Sequence, residues 1–351
     1  MRESVLNLYN TLTLKLNTSY TTMIDITFSR QLIIIGLLFL MAFSCIDCNN
    51  VANDYKAIKP ATASNWQAPD TNSLVSTPGA DLIRYGKELI INTAKYLGPK
   101  GTVVFISNGM NCGNCHLDGG TRINGNCFAM VAATYPKFRN RSGKSESIQF
   151  RINDCLERSL NGKKLDTSSK EMAAMVAYLK WLGKDVPKNV VIKGMGVPEI
   201  PLLSRAASVE KGGHVFKLRC SSCHGANGLG LLKPDSSGYI YPPLWGSHSY
   251  NVKAGIFRLS SSAGFVKYNM PYNAKPQAPS LTDEEAWDVA AFINTQERTF
   301  KTFPNDWPML SSKPIDYPFG PFSDSFSEQQ HKYGPFTGMK KPKNNKVALD
   351  K

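Results

Sequence analysis

Cys-x-x-Cys-His occurs twice in this chain, at Cys112-Gly-Asn-Cys115-His116 and Cys220-Ser-Ser-Cys223-His224. No other feature restricts the fold as tightly. The motif is the attachment sequence for covalently bound haem: two thiols can form thioethers with the porphyrin edge, and the adjacent His can bind iron from one face. A structural zinc site would need a second ligand pair at matching spacing, and here the pairs lie about a hundred residues apart. Two copies among only 8 Cys and 5 His are not a coincidence of composition. The expectation is two haem c groups, attached through Cys112, Cys115, Cys220 and Cys223, with His116 and His224 as iron ligands.

The 351 residues suffice for two domains of ordinary size plus extensions. Hydrophobic residues make up 42% and charged residues 19%, a soluble globular balance. The net charge of +14 fits either a generic basic surface or attraction of anionic substrates and acidic redox partners. Part of the excess lies in a C-terminal tail, at Lys340, Lys341, Lys343, Lys346 and Lys351, where it need not mark a site. Nothing resembles a nucleic-acid-binding module. The apolar run from Leu32 to Phe43, preceded by Arg30, is too short to span a bilayer, which takes about 20 residues, and fits the core of an export signal. Met23 offers an alternative start that gives the signal its usual length. Export agrees with the haem motifs and implies a periplasmic protein. Cys45 follows the small Ser44 and is either a lipid-attachment cysteine, the single expected link to a membrane, or part of a plain cleavage site. Ala42 stands where a bacterial lipoprotein signal usually has Leu.

Periodicity divides the chain further. Residues 1–44 form the export-signal region and 45–76 a polar linker. Residues 77–186 form a first domain, 187–204 a strap rich in proline, and 205–300 a second domain. Residues 301–351 form an irregular extension with the basic tail. Leu82, Ile83, Gly86, Leu89, Ile90, Ala94 and Leu97 recur at helical spacing ahead of Cys112. Ser168-Ser-Lys-Glu171 reads as a capping box opening a helix with Met172, Met175, Val176, Leu179 and Leu182 on its apolar stripe, ended by Gly183. Val209, Gly213 and Phe216 lead into Cys220. Thr282-Asp-Glu-Glu285 opens a last helix through Ala286, Val289, Ala290 and Ile293. Helix, haem motif, irregular middle, helix is the order of a cytochrome c domain, and it occurs twice. The fold class is mainly α, two tandem cytochrome c domains. Gly86, and Gly212 or Gly213, stand where small residues would let the first and last helices of each domain approach closely.

The ligand on the far side of each iron tunes its chemistry. For the second haem, Met270, Met309 and Met339 lie downstream. Met270 sits in a Tyr-Asn-Met-Pro-Tyr loop just before the last helix, the usual place for a haem-binding thioether. The first haem has no such loop methionine. Met130 follows His116 closely, and Met172 and Met175 belong to an apolar stripe. Cys127 and Cys155 both fall in the right window. Cys155 lies on an expected helix whose Arg151, Cys155 and Ser159 share one face, with Arg139, Arg141 and Lys144 upstream. A thiol among guanidinium groups is favoured as a reactive thiolate, and those groups could hold a small dianion through forked hydrogen bonds. A buried structural Cys beside a solvated basic face reads the same residues equally well.

The chain resembles the dihaem thiosulfate dehydrogenases, or tetrathionate synthases, from about Gly86 to Phe336. The resemblance rests on Cys-Gly-Asn-Cys-His-Leu-Asp-Gly-Gly-Thr, Tyr135-Pro-Lys-Phe-Arg-Asn-Arg-Ser-Gly143, Arg151-Ile-Asn-Asp-Cys155 and Ser159-Leu-Asn-Gly-Lys163. It continues with Tyr241-Pro-Pro-Leu-Trp-Gly246, Asn269-Met-Pro271, Asp316-Tyr-Pro-Phe-Gly-Pro and Gln330-His-Lys-Tyr-Gly-Pro-Phe336. It implies a first haem ligated by His116 and Cys155, where substrate reacts, with Arg141, Arg151 and Ser159 around the substrate. It also implies a second haem ligated by His224 and Met270. The implied reaction joins two thiosulfates into tetrathionate, passing electrons to a small c-type cytochrome or another periplasmic redox partner. Cys127, a second thiol near the first haem motif, has no part in that pattern. Rival readings are a tetrathionate reductase running the couple backward and a dihaem electron carrier without catalysis. A dihaem peroxidase is a third, though a thiolate sixth ligand speaks against it. The anion-binding set around Cys155 speaks against a pure carrier.

Overall fold

The computed structural model describes residues 61–63, 66–76, 78–188, 190–272, 274 and 277–339. The expected export-signal region with Met23, Cys45 and the basic tail from Lys340 onward lie outside the described residues. Among the described residues, no helix is long and apolar enough to cross a membrane.

In the first domain, α1 (Ala80–Ile91) buries Ile83, Gly86, Leu89 and Ile90 on one face. It stops at Asn92, and Thr93–Leu97 adds one further helical turn. α2 (Ile148–Arg158) opens at Ser147, whose side chain accepts the Phe150 N–H. α3 (Lys170–Leu182) closes the domain and ends at Gly183. Its cap is Ser169, one residue later than the sequence pattern places it. The Asp166 carboxylate accepts both the N–H and the hydroxyl of Ser168, which holds Ser168 in the preceding turn. Glu171, rather than closing a capping box, accepts the Tyr85 hydroxyl at 2.8 Å.

The second domain repeats this plan with α4 (Val209–Arg219), α5 (Leu259–Asn269) and α6 (Asp283–Thr295). At α6 the reciprocal Thr282–Glu285 capping box forms as the sequence suggests. In both domains the first and last helices cross with backbone against backbone. A Cβ at Gly86 would lie 2.0 Å from the Ala174 carbonyl oxygen, and one at Gly212 would lie 1.9 Å from that of Asp288. Gly213 meets only the Phe292 ring, at 3.3 Å, so the structure selects Gly212 from the two candidates.

The connecting segments are built into these cores. Leu74, within the stretch read as linker, is buried in the first core. Ala61–Ala63 pairs in parallel with Val190–Ile192 of the strap. Ile200 of the strap, with Phe336 and Met339 of the C-terminal extension, packs on Trp287 and Leu259 in the second core. The described part of the extension is mostly turns, with a 3₁₀ turn at Leu310–Ser312 and a short α-helix, α7 (Glu328–Tyr333). Asparagines join the two domains. Asn108 donates to the Ser249 carbonyl at 3.0 Å, and Asn251 donates to the Glu157 carbonyl through its side chain (2.8 Å) and to that of Arg158 through its backbone (3.1 Å).

Gly86→Ala and Gly212→Ala should each destabilise the holoprotein by about 3 kcal/mol or more, because the close backbone cannot yield. Gly213→Ala should cost much less. Denaturant midpoints of the three variants measure the difference.

Candidate active site

The first haem motif is set by the end of α1. The Thr93 hydroxyl accepts the Cys112 N–H at 3.0 Å, and the Asn111 side chain accepts the Ala94 N–H at 2.8 Å. His116 follows, its ring stacked on Phe128 at 4.1 Å. Phe128 can come that close because Gly120, at φ 85°, has no Cβ to meet the ring. His116 Nδ1 lies 2.7 Å from the Asn126 carbonyl, which can only accept, so Nδ1 carries the proton and Nε2 keeps a free lone pair. Burial, opposed only partly by that bond, pushes His116 down to about 4, so the ring is neutral, the form that binds a metal. Burial likewise drives the Cys112 and Cys115 thiols up, to about 11 and about 12.

These side chains face a cleft with about 1020 Å³ of atom-free space, partly open to solvent. Cys112, Cys115 and His116 line it together with Ile90, Met110, Leu156, Leu160, Met175 and Leu179. An apolar slot with a thiol pair and an aimed imidazole nitrogen fits a covalently attached haem. The second motif has the same parts. His224 Nδ1 donates to the Pro242 carbonyl at 2.7 Å, and Cys220 shares an apolar cluster with Phe216, Trp245, Leu281 and Met270. Met309 is exposed and Met339 is buried in the other cluster of that domain, which leaves Met270 as the candidate beside Cys220.

α2 supplies the feature that the second domain lacks. Arg151, Cys155 and Ser159, at helical spacing, all line the first cleft. Arg141 stands outside this lining. It joins the group through Asp154, whose carboxylate is shared by three guanidinium groups. Arg151 Nη1 donates to it at 2.5 Å, Arg158 Nε donates to its other oxygen, and Arg141 Nη1 lies 3.8 Å away. Burial opposes ionisation of Asp154, but Arg151, Arg158 and Arg141 outweigh it and hold the carboxyl below its usual range. The neighbouring Cys155 sulfur is the largest influence holding Arg151 protonated. Arg141 is pushed the other way, mainly by burial, and its Nε is buried without a hydrogen-bond partner.

Arg158, Asp154, Asp306 and Trp307 carry no signal in the sequence that singles them out. Arg158 Nη1 and Nη2 each donate to Asp306 at 2.8 Å, across nearly 150 residues of chain. Met195 of the strap also lines the first cleft, a position without local pattern. Cys127 lines the cleft but is buried among Ala129, Val186 and Ile192, next to the Asn126 carbonyl that orients His116. Burial raises its thiol. All described cysteines are unpaired. Met130 sulfur accepts the Ile192 N–H, in keeping with a packing role.

Residues 104–187 match the SoxA/TsdA cytochrome c domain family, and residues 209–297 match the cytochrome c family. The thiosulfate dehydrogenase of Allochromatium vinosum is 39% identical over 240 residues, covering 66% of this chain and 87% of that protein. That of Stutzerimonas stutzeri is 33% identical over 243 residues, covering 69% of this chain and 76% of that protein. Among solved structures, thiosulfate dehydrogenase (TsdBA) from Marichromatium purpuratum in its as-isolated form superposes with a TM-score of 0.61 at 30% identity. The match covers 67% of this chain and spans 50% of that longer one.

Replacing Cys112 and Cys115 by Ala should yield protein with one haem instead of two, and the Cys220/Cys223 pair should give the same count. Mass spectrometry of the denatured chains reads the number directly.

Proposed function

The chain belongs to the thiosulfate dehydrogenase family, and from that membership we infer that it joins two thiosulfates into tetrathionate at the cleft lined by Cys155 and Arg151. The observation that carries this reading is a cysteine facing the haem cleft from a helix whose Arg151 and Arg158 converge on one largely buried carboxylate, Asp154. An electron carrier has no use for such a set.

Two covalently bound haem c groups are held at the motifs. The first would be held by Cys112, Cys115, His116 and Cys155, and the second by Cys220, Cys223, His224 and Met270. When bound they supply two one-electron acceptors, enough for both electrons of one sulfur–sulfur coupling. Arg151, Arg141 and Ser159 bind and orient the sulfonate end, leaving the terminal sulfur toward Cys155. Cys155 thiolate and a first thiosulfate form a sulfur–sulfur bond and release two electrons, leaving Cys155–S–S–SO₃⁻. The terminal sulfur of a second thiosulfate attacks the sulfane sulfur between Cys155 Sγ and the sulfonate and breaks its bond to Sγ, forming tetrathionate and returning Cys155 as leaving thiolate. The guanidinium groups offset repulsion between the two dianions during this attack. Electrons leave to a small c-type cytochrome or another periplasmic redox protein. Residues 1–44 direct export to the periplasm, and a lipid on Cys45 is the one membrane attachment in this reading.

Thiosulfate added to the oxidised dihaem protein should reduce it within the mixing time of a stopped-flow experiment. With excess artificial acceptor, one tetrathionate should form per two thiosulfates. Cys155→Gly should keep both haems and lose turnover by about 100-fold or more, the scale expected for a removed nucleophile. Retained turnover in that variant would refute the assignment of Cys155.

A further inference from the structure

Three consecutive residues of the C-terminal extension each meet a residue of the first domain at this cluster. Asp306 forks onto Arg158, and both side chains are almost wholly buried. Trp307 donates its backbone N–H to the Arg141 carbonyl at 2.6 Å, and its ring lies 5.6 Å from the Arg141 guanidinium carbon. Pro308 covers Gly143, where a Cβ would come within 2.4 Å of the proline ring.

This seat is not a relaxed one. Trp307 has φ 61°, a left-handed backbone that a bulky residue rarely adopts, and it is 8% exposed. The Nε of Arg141 is buried without an acceptor, whereas the Trp307 indole N–H has the Tyr317 hydroxyl as its neighbour. A clamp that served only to hold the extension in place would pair the Arg141 donor too, since an unmade buried hydrogen bond costs stability. A partnerless guanidinium donor beside the cleft-lining Arg151 calls for an acceptor that the protein does not supply. A tetrahedral dianion supplies several.

We propose that Asp306 and Trp307 are positioning residues for a sulfur-oxyanion site. Asp306 occupies both Nη groups of Arg158, leaving Asp154 to be shared with Arg151 and Arg141. Trp307 seats Arg141 with its Nε free for the anion. The inference rests on the reading of the cleft as the substrate site, and it makes the extension part of that site.

The sign of one substitution separates positioning from plain charge. Removing the negative Asp306 leaves the cluster more positive, which by itself would tighten anion binding. Positioning predicts the reverse, because the freed Arg158 would draw Asp154 away from Arg151 and Arg141. Asp306→Asn, Asp306→Glu and Trp307→Phe holoproteins would be compared for three quantities: sulfate affinity by titration calorimetry, KM and kcat for thiosulfate, and denaturation midpoint. Asp306→Asn should weaken sulfate binding and raise KM about tenfold, equal to about 1.4 kcal/mol, with a much smaller change in kcat. Asp306→Glu should restore most of the loss. Trp307→Phe keeps an aromatic residue but shrinks the surface that seats Arg141, and should weaken sulfate binding with little change in midpoint, so the proposal stays testable even where an Asp306 variant folds poorly. Unchanged or tighter sulfate binding in Asp306→Asn, or an unchanged Trp307→Phe, would overturn it. Sulfate binding lost in the variants of a protein that does not oxidise thiosulfate would sustain the anion site while refuting the reaction.

Discussion

Each domain hangs on one place where two helices touch backbone to backbone, Gly86 on Ala174 and Gly212 on Asp288. The contact sets the angle at which the helix before the haem motif leaves the core, and so where the thiols and the imidazole lie. In the second domain the route is direct, since α4 ends at Cys220, whose N–H bonds to the Phe216 carbonyl. In the first, a loop of about a dozen residues intervenes, and the buried Thr93 hydroxyl returns to hold the Cys112 N–H. Both routes end alike, with a His whose Nδ1 is committed to a backbone carbonyl. A side chain larger than hydrogen at either crossing would displace the motif as well as loosen the core.

What differs between the domains is the segment between motif and closing helix. In the second, α5 ends at Met270, just before Pro271, and the sulfur joins the apolar cluster around Cys220. In the first, the hairpin of Lys137–Arg139 and Lys144–Glu146 leads into α2, which turns a cysteine and an arginine toward the cleft. A thioether in an apolar cluster suits electron storage, whereas a thiol beside guanidinium groups suits chemistry on an anion. In the proposed reading one helical plan thus carries two jobs, divided by the segment between motif and closing helix and not by the scaffold.

The scaffold was legible because its determinants are local. Haem motifs, helical stripes, the Thr282 cap and the shared face of Arg151, Cys155 and Ser159 all lie within a few turns of chain. Local competition caused the smaller misses. Asp166 captured Ser168, so Ser169 became the cap, and the choice between Gly212 and Gly213 depended on the facing helix. The surroundings of the site were not legible, because they arise from contacts between distant segments. Arg158 meets Asp306, Arg141 meets Trp307, and Met195 of the strap reaches the first cleft. Polar residues that pair across such distances leave no period in the sequence.

Those distant contacts change how the site's charge should be understood. Arg141, Arg151 and Arg158 suggest a strongly cationic pocket, but Asp154, Asp306 and the buried Glu146 stand among them, three carboxylates to three guanidinium groups. The buried cluster is close to neutral before a substrate arrives, as the cost of burying unpaired charge requires. Excess positive charge is found at the rim, where Lys137 and Arg139 lie on the hairpin, and across the surface of a chain with net charge +14. Attraction from a distance and recognition in the pocket therefore have separate origins. The rim and the surface raise the local concentration of an anion and lose that effect as salt rises. Inside, the proposed site would hold a dianion with guanidinium groups already oriented by carboxylates, an arrangement that salt screens far less.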